Sequence, residues 1–219
     1  MQVDAYPHKV YSKRMDNSTS ERYDRLYKEN LYPFGEEHIF FVEKALQYLK
    51  SGEVLDLGAG DGRNSIYLAA QGFHVLAVDF SQVAIKKIKK ISDSRNISLD
   101  IEVADIRKRK IVRSYDLILA AFVLHHLSRS EALTLIQNMM AHTSIHGLNI
   151  IATFTEQGDF YKNNPGTENF YIRNAELKTL YSKWEILRYE EREEEAFAKR
   201  GDGSPMRNIC VYLLARRVA

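Results

Sequence analysis

A glycine-rich turn and two acidic residues are the features of this sequence whose spacing most directly suggests chemistry. The segment Gly58–Gly62 has glycine at alternate positions, follows the apolar run 54–57 and precedes a helix-like stretch. Such a turn lets backbone N–H groups approach a ligand without a Cβ in the way. Asp56 lies on the apolar run, and Asp79 ends the next run, seventeen residues after the last glycine of the turn. A carboxylate at Asp79 suits a bidentate contact with ribose hydroxyls, so the pattern indicates a nucleotide-like ligand.

Two cofactors could use this turn, a dinucleotide or S-adenosylmethionine. The dinucleotide pattern G-x-G-x-x-G would place a third glycine at position 63, where this chain has Arg63. The carboxylate of Asp56 would also repel a pyrophosphate, whereas it could orient the ammonium of a methionine moiety, directly or through water. The pattern therefore favours S-adenosylmethionine and disfavours a nicotinamide-dependent oxidoreductase.

Alternating strand and helix patterns predict the scaffold that positions these residues. Five strand–helix alternations indicate an α/β fold with a doubly wound, mostly parallel sheet, and the last two strands predict an antiparallel C-terminal hairpin. The result is a seven-stranded, Rossmann-like sheet. Its predicted strands are 54–57, 74–78, 97–103, 115–121, 148–154, 184–189 and 209–215, with the charged segment 190–205 joining the last two as a solvated strand end and loop.

Capping signals mark where helices begin. Ser81 is a predicted N-cap, and Ser128 with Glu131 forms a capping-box pattern. Asn174 is the predicted cap of a last short helix, and apolar spacing predicts an amphipathic helix over residues 39–49.

Length and composition bound the class of protein. The 219 residues predict a single domain over 1–219. We expect a tyrosine-rich arm or lid with a short helix over residues 1–35, a cofactor-binding core over 36–219, and a pocket insertion at 155–172. With 31 Lys and Arg against 29 Asp and Glu, the formal net charge of +2 gives no reason to expect nucleic acid or a membrane as partner.

A cytoplasmic location is the natural interpretation of the cysteine usage. Cys210 is the single cysteine, so no intramolecular disulfide can form and a reducing compartment is expected. No signal peptide and no apolar stretch long enough to span a bilayer is visible. Cys210 itself falls in the last predicted strand, as a small core residue.

The segment Val54–Asn64, which reads VLDLGAGDGRN, resembles the first motif of the class I S-adenosylmethionine-dependent methyltransferases. The continuation 65–79, the tetrapeptide 124–127 (LHHL) and the segment 184–189 (WEILRY) are similar to the tellurite-resistance methyltransferase family and its small-molecule relatives. The resemblance extends from about Glu21 onward.

The resemblance implies a set of cofactor-binding residues at the ends of the first four strands. In it, Asp79 would hold the ribose, Phe80 would pack beside the adenine and Asp105 would accept from the adenine amine. Arg63 would help to fix the methionine carboxylate, and Phe122 would lie near the sulfonium. The full set is Asp56, Gly58, Ala59, Gly60, Arg63, Asn64, Asp79, Phe80, Ser81, Ala104, Asp105, Ile106, Ala121 and Phe122.

For the substrate pocket, His125 and Arg207 are the candidate catalytic residues. Adjacent residues on a helix point in different directions, so His125 and His126 are not expected to face one ligand. Aromatic residues of the arm, Tyr27, Tyr32 and Phe34, could close over the cofactor or could pack as ordinary core at the sheet edge.

Missing motifs exclude several chemistries. The stretch 120–123 has no Asn/Asp-Pro-Pro-aromatic tetrad, which amino-methylating enzymes of nucleobases share, and no cysteine lies there for attack on cytosine. Clustered Asp and Asn ligands for a metal are also missing, so no metal is expected. Because a sulfonium is already an activated electrophile, the protein needs mainly to bind, align and exclude water. A small nucleophile that needs little activation is favoured.

The sequence therefore predicts a transferase that moves a methyl group from S-adenosylmethionine to a small soluble acceptor by in-line displacement. The leading specific acceptor is a chalcogen oxyanion such as tellurite or selenite. Two alternatives remain open: a non-catalytic module that binds S-adenosylmethionine or S-adenosylhomocysteine as a signal, and a methyltransferase of macromolecules. The oligomeric state is not predicted.

Overall fold

The computed structural model of this chain describes residues 17–30, 32–163 and 168–219, of which residues 17–20 and 197–199 are described by their backbone alone. The seven strands of its one sheet are β1 Glu53–Leu57, β2 His74–Asp79, β3 Asp100–Val103, β4 Tyr115–Ala121, β5 Thr143–Phe154, β6 Glu185–Lys199 and β7 Pro205–Arg216. Their order across the sheet is β3-β2-β1-β4-β5-β7-β6. The first five run parallel, and β7 runs antiparallel between β5 and β6. The predicted fold class is confirmed.

The described residues form seven α-helices and one 3₁₀ turn, of which α1 and α2 precede the sheet and the others lie between its strands. Two predicted caps are present: the Ser81 hydroxyl accepts the Ala84 N–H at 3.0 Å, and Ser128 with Glu131 makes a reciprocal capping box. The helices are α1 Asn17–Glu29, α2 Phe40–Ala45, α3 Arg63–Ala70, α4 Gln82–Ser94, α5 Arg129–Ala141, α6 Asp159–Lys162 and α7 Glu176–Leu180, and the 3₁₀ turn is Leu124–His126.

The central strands β1 and β4 are buried on both faces, as is usual in a parallel sheet. Along β1, Leu55 and Leu57 pack into one apolar cluster, whereas Val54 packs into the cluster on the opposite face. Ile118 and Leu117 of β4 divide in the same way. Apolar side chains therefore fill both faces of these strands, and polar side chains lie at the carboxyl ends of the strands.

Several predicted boundaries are wrong. β3 begins at Asp100 rather than at residue 97, because the Ile97 N–H bonds the Ser92 carbonyl at the end of α4 and so cannot join the ladder. β5 begins at Thr143, five residues before its predicted start at 148, and therefore contains Gly147. The helix expected over 39–49 is shorter and covers only α2.

The charged segment 190–205, predicted as strand end and loop, is mostly strand. β6 pairs with β7 from Glu185 opposite Arg216 to Lys199 opposite Pro205. Ion pairs such as Arg207 with Glu193 join the two strands, and charged residues are well suited to an edge strand because they discourage pairing with other chains. Asn174 is not a cap either: the residue before α7 is Ala175, with φ +55° and no side-chain cap.

Candidate functional site

A cavity of about 300 Å³ lies at the carboxyl ends of β1, β2 and β4, between α1 and the β6–β7 hairpin. Ligands of doubly wound sheets bind at this edge. The side formed by Gly58–Asn64, Asp79 and Phe80 is called here the glycine end. The hairpin end is lined by Phe122, Val123, His125, His126, Phe154, Phe160, Glu194, Glu195, Ala196, Asn208, Cys210 and Tyr212.

Most of the predicted cofactor residues line this cavity. The structure brings ten of the predicted site residues to its wall: Gly58, Ala59, Gly60, Arg63, Asn64, Asp79, Phe80, Ala121, Phe122 and His125. It does not bring Asp56, Ser81, Ala104, Asp105, Ile106 or Arg207 there.

Asp79 holds the glycine turn against the end of β2. One carboxylate oxygen accepts the Gly60 N–H at 2.9 Å, and the other accepts the Ser81 N–H at 2.8 Å. Burial raises the pKa of Asp79 to about 6. Each oxygen keeps a lone pair beyond these bonds, so the carboxylate can still accept from a ligand's hydroxyls.

Gly60 and Gly58 are both left-handed, at φ +58° and +74°, but for different reasons. A Cβ on Gly58 would lie 2.4 Å from a methyl carbon of Val123, so packing requires glycine there. A Cβ on Gly60 would meet only the side chain of Tyr27, whose hydroxyl lies 2.9 Å away. Both Gly60 and Tyr27 line the cavity. The bare backbone of Gly60 therefore faces the cavity.

Two buried acids lie in or under the turn. Asp56, 1% exposed, accepts the Ser65 hydroxyl at 2.6 Å through one oxygen, while its other oxygen has no partner. Burial raises its pKa to about 7. Asp61, which was not among the predicted site residues, lines the cavity with one oxygen buried and unpaired, and burial raises its pKa as well. Its place inside the glycine motif was the signal that could have found it.

Arg63 and Asn64 connect the turn to the arm. The Arg63 guanidinium donates to the Phe34 carbonyl, and the Asn64 side-chain oxygen accepts the Ile39 N–H at 3.0 Å. Both residues also line the cavity. They therefore fix the loop that precedes α2, in addition to any contact with a ligand.

Phe122 adopts a backbone conformation that is rare for a bulky residue, with φ +52°. Its N–H donates to the Ala152 carbonyl at 2.7 Å, and its ring lies 5.1 Å from that of Phe154 and 5.8 Å from that of Tyr212. Strained conformations of this kind concentrate at functional sites. Here the strain directs an aromatic ring into the cavity.

His125 and His126 both line the cavity, contrary to prediction. They lie on a 3₁₀ turn, not on an α-helix, and their ring centroids are 3.9 Å apart. His126 bonds the Tyr23 hydroxyl at 2.8 Å, whereas both ring nitrogens of His125 are buried without a partner. Burial lowers the pKa of His126 to about 3 and that of His125 well below its ordinary value. Both imidazoles are therefore neutral.

The predicted adenine residues lie beyond the cavity wall. The Asp105 carboxylate forms hydrogen bonds with the Arg107 guanidinium, and Ile106 is buried in the core. The Ala104 N–H donates to the backbone carbonyl of Asp79. The Ser81 hydroxyl donates to Asp24 of α1 at 2.5 Å.

Arg207 does not face the cavity. Side chains alternate along a strand, and Asn208, Cys210 and Tyr212 of β7 occupy the cavity side. Arg207 therefore points away from the cavity, and its guanidinium bonds Glu193 and Glu195. The period-two pattern of β7 could have shown this if the strand had been extended back to Pro205.

The described part of the arm covers the cavity. Tyr23 and Tyr27 of α1 line it together with Phe34, and the ring of Tyr23 lies edge-on to Phe80 at 6.0 Å. Tyr32 instead packs beside α4, where its hydroxyl accepts from Arg95. Residues 1–16 of the predicted arm lie outside the described residues.

The part of the chain that the structure describes lacks two kinds of feature. No group of three or more His, Cys, Asp or Glu side chains is arranged to hold a metal ion. No helix there is both long and apolar enough to cross a membrane.

Comparison with known proteins identifies the family. The model of the family "Tellurite resistance protein TehB" matches residues 22–209. The chain belongs to this family. A probable S-adenosyl-L-methionine-dependent methyltransferase TehB from Haemophilus influenzae (strain 10810) is 30% identical over 176 residues, which cover 80% of this chain and 61% of that protein.

Solved structures agree with the family. The crystal structure of TehB from Haemophilus influenzae aligns with a TM-score of 0.74 at 28% identity, over 82% of this chain and 62% of that one. The N-methyltransferase NodS from Bradyrhizobium japonicum WM9, in complex with S-adenosyl-L-homocysteine, aligns with a TM-score of 0.67 at 18% identity, over 93% of this chain and 100% of that one. The second likeness shows the fold alone.

These comparisons confirm the predicted family, the class I methyltransferase fold, and the enzyme class and cofactor of that family. The chain spans 61% of the length of the TehB protein that it matches in sequence. The activity and the acceptor of this chain are therefore proposed below.

Proposed function

We propose that this chain transfers a methyl group from S-adenosylmethionine to a small-molecule acceptor. The observation that carries the proposal is the continuity of the cavity: the bare backbone of Gly60 and the Asp79 carboxylate lie at one end, and the unpaired imidazole of His125 lies at the other. A cofactor and an acceptor can therefore meet within one enclosed space.

The glycine end fits S-adenosylmethionine. Asp79 has lone pairs for ribose hydroxyls, and the Gly60 backbone offers space where any side chain would intrude. The ammonium and sulfonium of this cofactor are cations, and the buried, unpaired oxygens of Asp56 and Asp61 lie under and beside the turn. A pyrophosphate would meet the same carboxylates with like charge.

The chemistry supplied by the bound cofactor is an activated methyl group on a sulfonium. The chain's own residues would hold the acceptor in line with that group and exclude water. His125 is a neutral imidazole with a lowered pKa, so it is a weak base. We therefore assign His125 a hydrogen bond that orients the acceptor. It does not act as a general base that removes a proton.

The N-terminal segment acts as a lid in this proposal. Tyr23 bonds His126 at the hairpin end, and Tyr27 lies over Gly60 at the glycine end, so α1 spans the cavity. Entry of a cofactor requires α1 to move at least at Tyr27. A single domain over 1–219, the pocket insertion at 155–172 and a cytoplasmic location belong to the same proposal.

The test has two stages on the full chain. Calorimetric titration with S-adenosylmethionine, S-adenosylhomocysteine and NAD is expected to show binding of the first two and none of NAD. S-adenosylhomocysteine release is then measured with tellurite, selenite, thiols and amines. The family name makes the chalcogen oxyanions the first acceptors to try.

Each outcome decides between the alternatives. Release with a small acceptor supports the proposal. Binding of the cofactor with no release, across small acceptors and cell extracts, would identify a cofactor-binding module. Transfer only to a protein or RNA fraction would contradict the small-molecule acceptor.

A further inference from the structure

The β6–β7 hairpin places Glu194 and Glu195 in the wall of the cavity, and Glu195 is paired with Arg207. Glu194 lies opposite Asn208 in the ladder, and cross-strand partners share a face of the sheet. Asn208 lines the cavity, so Glu194 is on the cavity side of the hairpin. Glu194 belongs to the charged segment 190–205, which was predicted as a solvated strand end and loop.

Glu194 is held in place by neutral donors. Its carboxylate accepts the Tyr212 hydroxyl at 2.5 Å. The Cys210 thiol lies beside it, and burial together with the Glu194 charge raises the pKa of that thiol. Neither donor neutralises the carboxylate, so its negative charge remains available to a ligand.

Glu194 differs from its strand neighbours in its ion pairs. Glu190 pairs with Arg188 and Arg192, and Glu193 and Glu195 pair with Arg207. Within the described residues, no ion pair involves Glu194. A carboxylate that faces a cavity and has no cationic partner is suited to bind a cationic group of a ligand.

Aromatic rings form much of the remaining wall at this end. The ring centroid of Phe154 lies 5.1 Å from that of Phe122, 4.8 Å from that of His125 and 5.0 Å from that of Phe160. The ring of Tyr212 adjoins Phe122 at 5.8 Å. Aromatic faces attract ammonium groups and offer an oxyanion nothing comparable.

Cations are scarce in the wall. Arg63, at the glycine end, is the one Lys or Arg among the described residues that line the cavity. Arg207 points away from the cavity, and Arg192 lies 5.5 Å from the Tyr212 ring while bonded to Glu190. Arg22 of α1 helps to lower the pKa of both histidines and has one buried, unpaired nitrogen, but it does not line the cavity.

We propose that the methyl acceptor is a small amine, which the Glu194 carboxylate binds at the hairpin end among the rings of Phe122, Phe154 and Tyr212. This proposal rests on the proposed function. Glu194 accepts an N–H of the amine, which leaves the nitrogen lone pair free to point along the cavity. An anionic acceptor would meet the same carboxylate at a cost.

The transfer balances without a further reactant. An amine that arrives as an ammonium first loses one proton to water, and the lone pair of the neutral amine then forms the N–C bond. The S–C bond breaks with its electron pair going to sulfur, which gives S-adenosylhomocysteine. The product nitrogen carries one positive charge and releases its proton to water. Glu194 stabilises the positive charge that develops on nitrogen, which is charge complementarity to the transition state.

The experiment uses probes that share a phenyl ring, with the full chain: benzylamine, benzyl mercaptan and benzoate, with selenite and tellurite beside them. S-adenosylhomocysteine release is measured for each. Benzylamine binding to the complex with S-adenosylhomocysteine is measured separately by calorimetry, so the subsite is tested even without turnover. Glu194→Gln keeps the shape of the side chain and removes its charge. Glu193→Gln, on the opposite face of the same strand, is the matched control.

We expect benzylamine to bind this complex, and Glu194→Gln to weaken that binding by about tenfold or more, the loss of a hydrogen bond to a charged group. Cofactor affinity should stay unchanged in both variants, and Glu193→Gln should bind benzylamine as the parent does. Equal benzylamine affinity in Glu194→Gln and the parent, or preference for benzoate, selenite or tellurite, would overturn the proposal. Amine binding with no release for any probe would contradict the proposed function while leaving this subsite supported.

Discussion

The two ends of the cavity are built in different ways. The glycine end comes from one continuous stretch, Glu53 to Phe80, in which β1, the glycine turn, α3 and β2 follow each other. The hairpin end comes from the 3₁₀ turn after β4, from the end of β5 with α6, and from β6 and β7. The first is a local structure, whereas the second exists only when distant segments pack together. This difference explains why one end was predicted largely as it is and the other was not.

The charges of the two ends also differ. Asp56 and Asp79 at the glycine end are acids whose pKa burial raises, to about 7 and about 6. His125 and His126 at the hairpin end are bases whose pKa burial lowers. In both cases burial favours the neutral form. At pH 7 Asp56 is therefore partly protonated and the two histidines are neutral, so a charged ligand can shift these groups between their neutral and charged forms.

The largest expected effect is at Gly60. We expect Gly60→Val to abolish measurable binding of S-adenosylmethionine, because its Cβ lies in the cavity wall and the φ of +58° adds strain of roughly 1–3 kcal/mol. Gly72→Val is the matched control, since Gly72 has φ +90° but nothing lies within 4 Å of its Cβ. Calorimetric titration of both folded variants checks this. Loss of binding in both would show that strain, not cavity space, is decisive.

The opposite pKa shifts predict opposite pH effects on stability. Asp56, with its pKa raised from 3.8 to about 7, keeps a proton in the folded chain that the unfolded chain loses. Its contribution therefore lowers the free energy of unfolding as pH rises from about 4 to about 7. His125 and His126 are neutral when buried but bind protons in the unfolded chain below pH 6.5. Their contribution therefore raises the free energy of unfolding as pH rises toward 6.5.

The variant Asp56→Asn separates the two contributions. Relative to the parent, we expect it to gain roughly 2–4 kcal/mol of unfolding free energy between pH 4 and pH 7.5. Urea denaturation across this range measures the difference, and Asp93→Asn, an exposed residue of α4, is the control. A difference independent of pH would mean that Asp56 is ionised throughout.

A third prediction concerns Asp79. Asp79→Ala removes a pair of charge-assisted hydrogen bonds to a ribose, so cofactor binding should weaken by roughly 2–3 kcal/mol. Because Asp79 also holds the Gly60 and Ser81 N–H groups, the turn should become less protected from amide hydrogen exchange. Titration and exchange on the same variant check both. Unchanged affinity beside lost protection would make Asp79 a structural residue of the turn only.

The smallest expected effect is at the contact that joins α1 to the hairpin end. Tyr23→Phe removes the hydrogen bond to His126, worth about 1 kcal/mol, and should raise amide exchange in α1 while leaving the fold intact. Tyr32→Phe, which removes only an exposed bond from Arg95, is the control. Equal exchange of α1 in the two variants would show that this contact does not hold the arm over the cavity.

The family and the fold were predictable because their signals are local. The turn from Gly58 to Gly62, the acid at Asp79 and the capping box at Ser128 are each set by residues within one or two turns of chain. The five parallel strands were recognised from apolar runs of ordinary length. The first part of β6 was predicted as the strand 184–189, but its continuation to Lys199 was not recognised. The apolar signal fails there because the segment is a charged edge strand whose partner supplies the hydrogen bonds and the ion pairs.

The sequence by itself determined the sheet and the residues of the glycine end, since alternating strand–helix patterns and a glycine turn need no distant partner. Only the tertiary structure decided the hairpin end. There the register between β6 and β7 settles which side chains face the cavity, so Arg207 turns away while Glu194 and Tyr212 turn in. The 3₁₀ turn brought His125 and His126 to one wall, where helical spacing had separated them. The physical reason is that strand register and turn type are set by packing across the sheet, which no single segment encodes.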